Sequence, residues 1–341
     1  MEAERADTRV ERARCLVIGG GLLGSHVARE LVRNGHAVSV YSRSFSDWLL
    51  AERELGLEVE LVPGEIPPGR RLDELVSDAE IVFFLAGSST PSLSEEDAVR
   101  SIMGSLTPAL RVLESLRRTN VSRIVISSSG GTVYGPVSEL PTSEDAPTRP
   151  ITLHGVNSLA IEGYAAFYAR EHGIRPLILR YSNVFGPGER VHFEQAVVAS
   201  WCDALSRGLP LTLVGDGSVE RDFLFVEDAA AATVKAAFAT EGPAVYNVGS
   251  GRSQSLREVL DMLEQVSGLT PDVRSVPARP IDVPVTRLDS SRLREATGWS
   301  ASTDFSAGLA ASWAWALRRN SDAAGQNMFS DQPAAQEHPT S

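Results

Sequence analysis

The chain has 341 residues, 43% of them hydrophobic, enough to bury the core of an enzyme-sized globular protein. With 44 acidic against 32 basic residues the net charge is −12, which argues against nucleic acid or an anionic membrane as a main partner and makes any anionic ligand depend on local arginines. The charged start has no signal-peptide core, no run approaches the ~18 apolar residues of a membrane span, and Cys15 and Cys202 lack ligand-like spacing, so the expectation is a cytoplasmic protein with neither a disulfide framework nor a metal site.

Residues 1–12 are polar and read as a disordered tail. An apolar strand, Cys15–Ile18, runs straight into Gly19-Gly20-Gly21-Leu22-Leu23-Gly24 and then a helical pattern near Gly24–Asn34. That succession suits a dinucleotide: Gly19 permits the sharp exit from the strand, Gly21 lets a pyrophosphate approach the backbone, and Gly24 lets the helix pack close to the sheet. The free N–H groups of the helix start face the phosphates. A second strand, Val38–Tyr41, ends in Ser42-Arg43-Ser44, where a carboxylate would accept hydrogen bonds from an adenosine ribose. A guanidinium there can fork on to a 2′-phosphate, so NADP is favoured and NAD is the alternative.

Short strands at Leu61–Val62 and Ile81–Leu85 follow, then a helix over 96–118 that Pro108 is expected to kink, a strand at Arg123–Ser127, a helix from 154 to 172 and a strand at Pro176–Arg180. The alternation predicts an α/β fold, a doubly wound parallel Rossmann-type sheet. After residue 185 Gly and Pro become frequent. The division is therefore 13–185 for the NAD(P)-binding domain and 186–319 for a smaller substrate-binding lobe, with a segment near 222–250 returning to the first domain. Residues 320–341 lack any period and read as a second disordered tail. Of the basic residues only Lys235 is a lysine.

Eight pieces in order, among them VIGGGLLGSH, SSSGGTVYG at 127–135, LRYSNVFGPG at 179–188, VGDGSVERDFLFVEDAA at 214–230 and YNVGSG at 246–251, resemble the extended short-chain dehydrogenases/reductases, the UDP-glucose 4-epimerase-like NAD(P)-dependent epimerase/dehydratase family. The likeness runs from about Ala13 to Arg318. It implies that Gly19, Gly21, Gly24, Ser42 and Arg43 hold the pyrophosphate and adenosine ribose, that Glu65 and Ile66 flank the adenine, that Leu85, Ala86 and Gly87 line the cofactor backbone, and that Tyr181 approaches the nicotinamide. It implies further that Asn183, Arg221 and Arg279 contact the diphosphate of a nucleotide sugar, as planar paired donors would. The family's G-x-x-G-x-x-G has its first glycine at Ile18 here, and the tighter spacing still serves the pyrophosphate.

The likeness breaks at Pro150–Glu162. Where the family has a catalytic Tyr-x-x-x-Lys pair, this chain has His154 and Ser158. Moving a hydride at a carbinol carbon requires a group that exchanges a proton with its oxygen. A phenol near pKa 10 needs a neighbouring cation to act at neutral pH, whereas an imidazole near 6.5 does not. Losing both partners together is thus chemically coherent, with His154 as acid/base, Ser129 as the hydroxyl sharing the substrate oxygen (Ser128 and Thr132 being alternatives after the GG insertion), and Ser158 bonded to the ribose or the His ring. Glu189, His192 and Glu194 form a weaker acid and imidazole cluster beside the expected pocket, with no metal assigned.

The expected function is that of a nucleotide-sugar epimerase or 4-keto reductase with an atypical His154 centre. The alternative is a non-catalytic NADP-binding sensor or partner subunit that has lost the Tyr/Lys centre. Family likeness implies a homodimer through the helices near 96–118 and 154–172, with a heteromer as the variant. Substrate choice is expected to lie in Ser88–Glu96 and Gly188–Gln195.

Overall fold

Buried apolar runs alternating with amphipathic ones build a layered sheet. The computed structural model describes residues 12–66, 70–87, 97–191, 196–239, 244–278 and 283–330. Its central sheet comprises β1 (Arg14–Gly20), β2 (Ala37–Phe45), β3 (Glu60–Pro63), β4 (Ile81–Phe84), β5 (Arg123–Ser129), β6 (Arg175–Tyr181) and β11 (Ala244–Val248). The order is β11-β6-β5-β4-β1-β2-β3, every pair parallel. Chain direction across the sheet reverses between β1 and β4, the point at which ligands of such folds bind beyond the carboxyl ends of the strands. Strands covered on both faces are apolar throughout, and β1 is buried from Cys15 to Gly20.

Helices cover both faces. On one, α1 (Leu22–Arg33) and α8 (Val226–Ala239) enclose a core with Val17, Val27, Leu31, Leu179 and Val248. On the other, α3 (Arg70–Ser77), α5 (Leu106–Arg118) and α6 (Leu153–His172) bury Leu16, Ile18, Phe84, Leu113 and Ile161. The helix expected over 96–118 is two helices, α4 (Ala98–Gly104) and α5, separated at Ser105. Pro108 is not the break. It occupies the first turn of α5, where its missing N–H has no partner to lose. A short helix α2 (Asp47–Glu54) after β2, capped by Ser46, was not expected.

The second body of core lies beyond β7 (Asn183–Phe185). There α7 (Val197–Ser206), α9 (Leu256–Ser267) and α11 (Phe305–Ser330) pack with the pairs β8 (Leu211–Val214) with β13 (Val273–Val276), β9 (Glu220–Arg221) with β12 (Gln254–Ser255), and β10 (Phe223–Phe225) with β7. Phe185, Phe223, Phe225 and Phe305 meet at ring separations of 5.1–6.0 Å, beside Trp201, Leu309 and Trp313. A short helix α10 (Ser291–Thr297) returns to pack on α8. The sequence reading ends order at 319, but α11 continues to Ser330. Its next turn is fastened: Arg319 and Asn320 both donate to the Asp203 carboxylate of α7, and Asn320 also donates to Ser206 at 2.6 Å. Residues 1–11 and 331–341 lie outside the described residues.

Candidate active site

The glycine turn is built as its spacing suggests. Gly19 sits at φ +122°, and a Cβ there would lie 2.9 Å from the Leu85 and Ala86 backbone. A Cβ on Gly24 would lie 1.8 Å from the Gly19 carbonyl oxygen, so only glycine lets α1 approach β1 this closely. Gly21, by contrast, would carry a Cβ into open space. As N-cap of α1 it has no side chain to close the first turn, whose N–H groups are left for an anion. The residues present thus fit a pyrophosphate.

Arg43 and Ser44 are exposed just beyond, at the end of β2. Sequence reasoning missed their companion: Arg190 donates from Nη2 to the Ser44 hydroxyl at 2.8 Å. Ser42 turns back on to the Ser44 carbonyl at 2.7 Å. Near the expected adenine seat, Tyr41 donates to the Glu65 carbonyl and Arg111 to the Ile66 carbonyl at 2.7 Å, which fixes the loop after β3. Leu85 is tied by its N–H to the Ile18 carbonyl at 2.9 Å, while Ala86 and Gly87 follow at the end of β4.

A cavity of about 690 Å³ gathers the expected reaction groups. Ser129 and Thr132 enter it from the end of β5, His154 from the first turn of α6, Asn183 from β7, Arg221 from β9 and Glu189 from the turn after β7. Thr152 caps α6 by accepting the Gly155 N–H at 3.1 Å, and so sets the helix start that carries His154. Gly155 has no room for a Cβ, which would lie 2.6 Å from the Thr132 carbonyl, so the helix start and the Gly130-Gly131 turn are packed backbone to backbone. Burial holds the His154 pKa below the usual 6.5, favouring the neutral imidazole.

Two expected site residues are corrected. Ser158 does not line the cavity: its side chain is buried and its hydroxyl donates to the His154 carbonyl at 2.9 Å. A serine is too short to leave the helix as a lysine does, so its hydroxyl satisfies itself locally. Tyr181 does not face the cofactor either. Its ring belongs to the core on the α1 and α8 side, its hydroxyl pairs with Thr233 at 2.6 Å, and burial raises its pKa, so it neither meets a nicotinamide nor yields a proton. Between the hydroxyls left open in the sequence, Ser128 is excluded, because it donates to Glu162 at 2.5 Å within a buried network. There Glu162 also accepts from Arg180 at 2.6 and 3.0 Å, and Arg180 donates to the Tyr134 hydroxyl at 2.9 Å.

Arg221 donates to the Val283 carbonyl at 2.7 Å, on the cavity wall. Its neighbour Asp222 forms no surface ion pair with it. That carboxylate is fully buried and accepts the N–H groups of Ser250, Gly251 and Leu288. Arg279, His192, Glu194 and the segment Ser88–Glu96 lie outside the described residues. Lys235 is exposed on α8 and does not replace the missing lysine. The far wall, with Trp201, Thr212, Val214 and Leu256, comes from the second lobe and was not anticipated. Trp201, Thr212 and Leu256 lie outside the sequence motifs and Val214 only opens one, so it is the packing of α7, β8 and the start of α9 that unites them.

Residues 15–249 match the model of the NAD dependent epimerase/dehydratase family. The chain belongs to that family. A curated relative, the UDP-glucose 4-epimerase of Mycolicibacterium smegmatis, is 31% identical over 302 residues, 87% of this chain and 96% of its own. The GDP-6-deoxy-D-mannose reductase of Pseudomonas aeruginosa is 32% identical over 226 residues, 64% of this chain and 74% of its own. Among solved structures, the UDP-glucose 4-epimerase of Thermus thermophilus in complex with NAD superposes with a TM-score of 0.81 at 30% identity, covering 89% of this chain and 98% of that one. No helix among the described residues is long and apolar enough to cross a membrane.

Proposed function

We propose that the protein is an NAD(P)-dependent epimerase or 4-keto reductase of a nucleoside-diphosphate sugar, in which His154 exchanges the proton of the substrate oxygen and Ser129 shares that oxygen. One observation carries the reading: His154, Ser129, Asn183 and Arg221 line a single cavity at the carboxyl ends of the strands. A bound nicotinamide supplies or accepts the hydride. The neutral imidazole of His154 takes the carbinol proton in the oxidising direction, and the Ser129 hydroxyl orients the oxygen by a hydrogen bond. Asn183 and Arg221 suit the diphosphate as donors, with Arg279 added by family likeness.

For the cofactor, Arg43 with Arg190 drawn to Ser44 supports NADP over NAD, since two guanidiniums beside the adenosine ribose favour a 2′-phosphate. The apolar residues Val99 and Met103 on α4 and Val156 and Phe167 on α6, all well exposed, support a homodimer across these helices.

The deciding experiment measures interconversion of UDP-galactose and UDP-glucose, and NADPH consumption with 4-keto sugar nucleotides, for wild type and His154→Ala. Interconversion, which contains an oxidising half-step, lost in the variant supports the reading, and equal interconversion in both removes His154 from it. The replaced Tyr/Lys centre favours one second reading, a non-catalytic NADP-binding sensor or subunit, and any steady turnover by the purified protein rules it out. Calorimetric titration should give NADPH at least tenfold tighter than NADH, a difference of about 1.4 kcal/mol that Arg43→Ala or Arg190→Ala erodes.

A further inference from the structure

The turn Gly186-Pro187-Gly188 bends sharply out of β7, with Gly186 at φ +151° and Gly188 at φ +89°. It is pinned from outside the cavity, where His26 of α1 bonds the Pro187 carbonyl at 2.9 Å and Gly188 abuts Trp48 so closely that a Cβ would lie 2.8 Å from that side chain. The next residue, Glu189, is thereby held at the cavity wall. Its Oε2 is fully buried and has no hydrogen-bond partner among the described residues, an arrangement that is costly for a carboxyl unless a ligand completes it. The adjacent Arg190 offers no neutralising charge, being turned to Ser44. On α7 the facing group is the Cys202 thiol, and His154 and Arg221 line the same cavity from α6 and β9.

We infer that Glu189 is a second acid/base group of this cavity, the donor that gives its proton to the substrate oxygen in the reducing step while His154 is the acceptor in the oxidising one. The inference rests on the nucleotide-sugar reading above. In the reducing step the carbonyl carbon gains a hydride with its electron pair from a dihydronicotinamide. The C=O π pair passes to the oxygen, the Glu189 O–H bond breaks, and its proton ends on that oxygen. The carboxylate left behind is reprotonated from solvent, or from the His154 imidazolium when an epimerisation has just charged it. Burial supports these resting states: it lifts Glu189 to about 8, so the acid is protonated at neutral pH, and lowers His154, so the base is free. A lone backbone hydrogen bond from Gly186 works against the rise.

The test is an isotope-edited infrared titration of the full-length protein and of Glu189→Gln. It is run alone and with whichever of UDP-glucose, dTDP-glucose and GDP-mannose binds tightest by calorimetry. The expected result is a carboxylic C=O band at pH 7 that disappears as the pH passes about 8, shifts when the sugar nucleotide binds and is missing from Glu189→Gln. That variant should keep the ligand within about threefold of wild-type affinity and lose at least 100-fold in the reducing step. A carboxyl already ionised at pH 6, or a band unmoved by a ligand that demonstrably binds, overturns the inference alone. Failure of all three sugar nucleotides to bind overturns the nucleotide-sugar reading, and the inference falls with it.

Discussion

Ser158 gives its hydroxyl proton to the carbonyl of His154, one turn earlier in α6. The two positions at which the family resemblance implies a cooperating pair are therefore joined by a helix-internal bond, which leaves Ser158 nothing to offer the cavity. Ser158→Ala should change kcat/KM by less than threefold. His154→Ala should lower it by at least about 100-fold, the usual contribution of a positioned general base. Parallel steady-state kinetics of the two variants decides the matter, and equal losses would contradict the division.

The pH profile should carry the imprint of burial. His154 titrates below 6.5 because its surroundings disfavour the imidazolium, so the proton-accepting form persists into mildly acidic solution. The acid limb of kcat/KM for the oxidising direction is expected below pH 6.5. A midpoint at or above 6.5 in that limb would remove the assignment.

Gly21 and Gly24 should separate stability from cofactor affinity. Gly21→Ala places a methyl in open space at an ordinary backbone angle, so thermal stability should change by less than about 1 kcal/mol, while NADPH affinity falls at least tenfold because the pyrophosphate needs that space. Gly24→Ala drives a methyl on to the Gly19 carbonyl and should cost about 3 kcal/mol or more. Thermal denaturation with calorimetric titration of both variants checks the contrast.

His26 should make the protein acid-sensitive. It stacks on Trp48 at 3.7 Å and donates to the Pro187 carbonyl, and burial, the largest cause, lowers its pKa from 6.5 to about 3. Between these values the unfolded chain binds more protons, so stability is full above pH 6.5 and is lost as the pH falls toward 3, by up to roughly 4 kcal/mol. His26→Phe should lose about 1–2 kcal/mol at pH 7 through the unpaired carbonyl, yet show a flatter melting temperature between pH 6.5 and 4. An unchanged slope would mean that other groups govern acid unfolding.

Much of the cofactor half was legible because its constraints are local. Gly24 is dictated by a contact with Gly19, five residues earlier, Gly19 itself sits in a positive-φ turn that the glycine spacing announces although its close contacts are with Leu85 and Ala86, and β1, β4 and β5 are apolar runs whose burial leaves a strong pattern. The cavity was legible only where the family likeness reaches. His154, Ser129, Asn183 and Arg221 converge, whereas the orientation of Tyr181 depends on Thr233, 52 residues away, and could not be read from its motif. Ser158 was misread because side-chain length, not position, decides whether a residue leaves its helix. The role of Arg190 was hidden for a related reason: its partner Ser44 lies 146 residues away, with no pattern linking them. Glu189 looked like one more solvated acid in a polar loop, and only the packing around it makes it distinctive.

The turn after β7 stands between two regions of the fold. It is wedged against Trp48 and latched to His26 on the side of the glycine turn, and it carries Glu189 to the cavity wall on the other. An indole outside the sugar cavity therefore fixes the turn from which Glu189 reaches into it, so the placement of one acid is shared between two halves of the molecule.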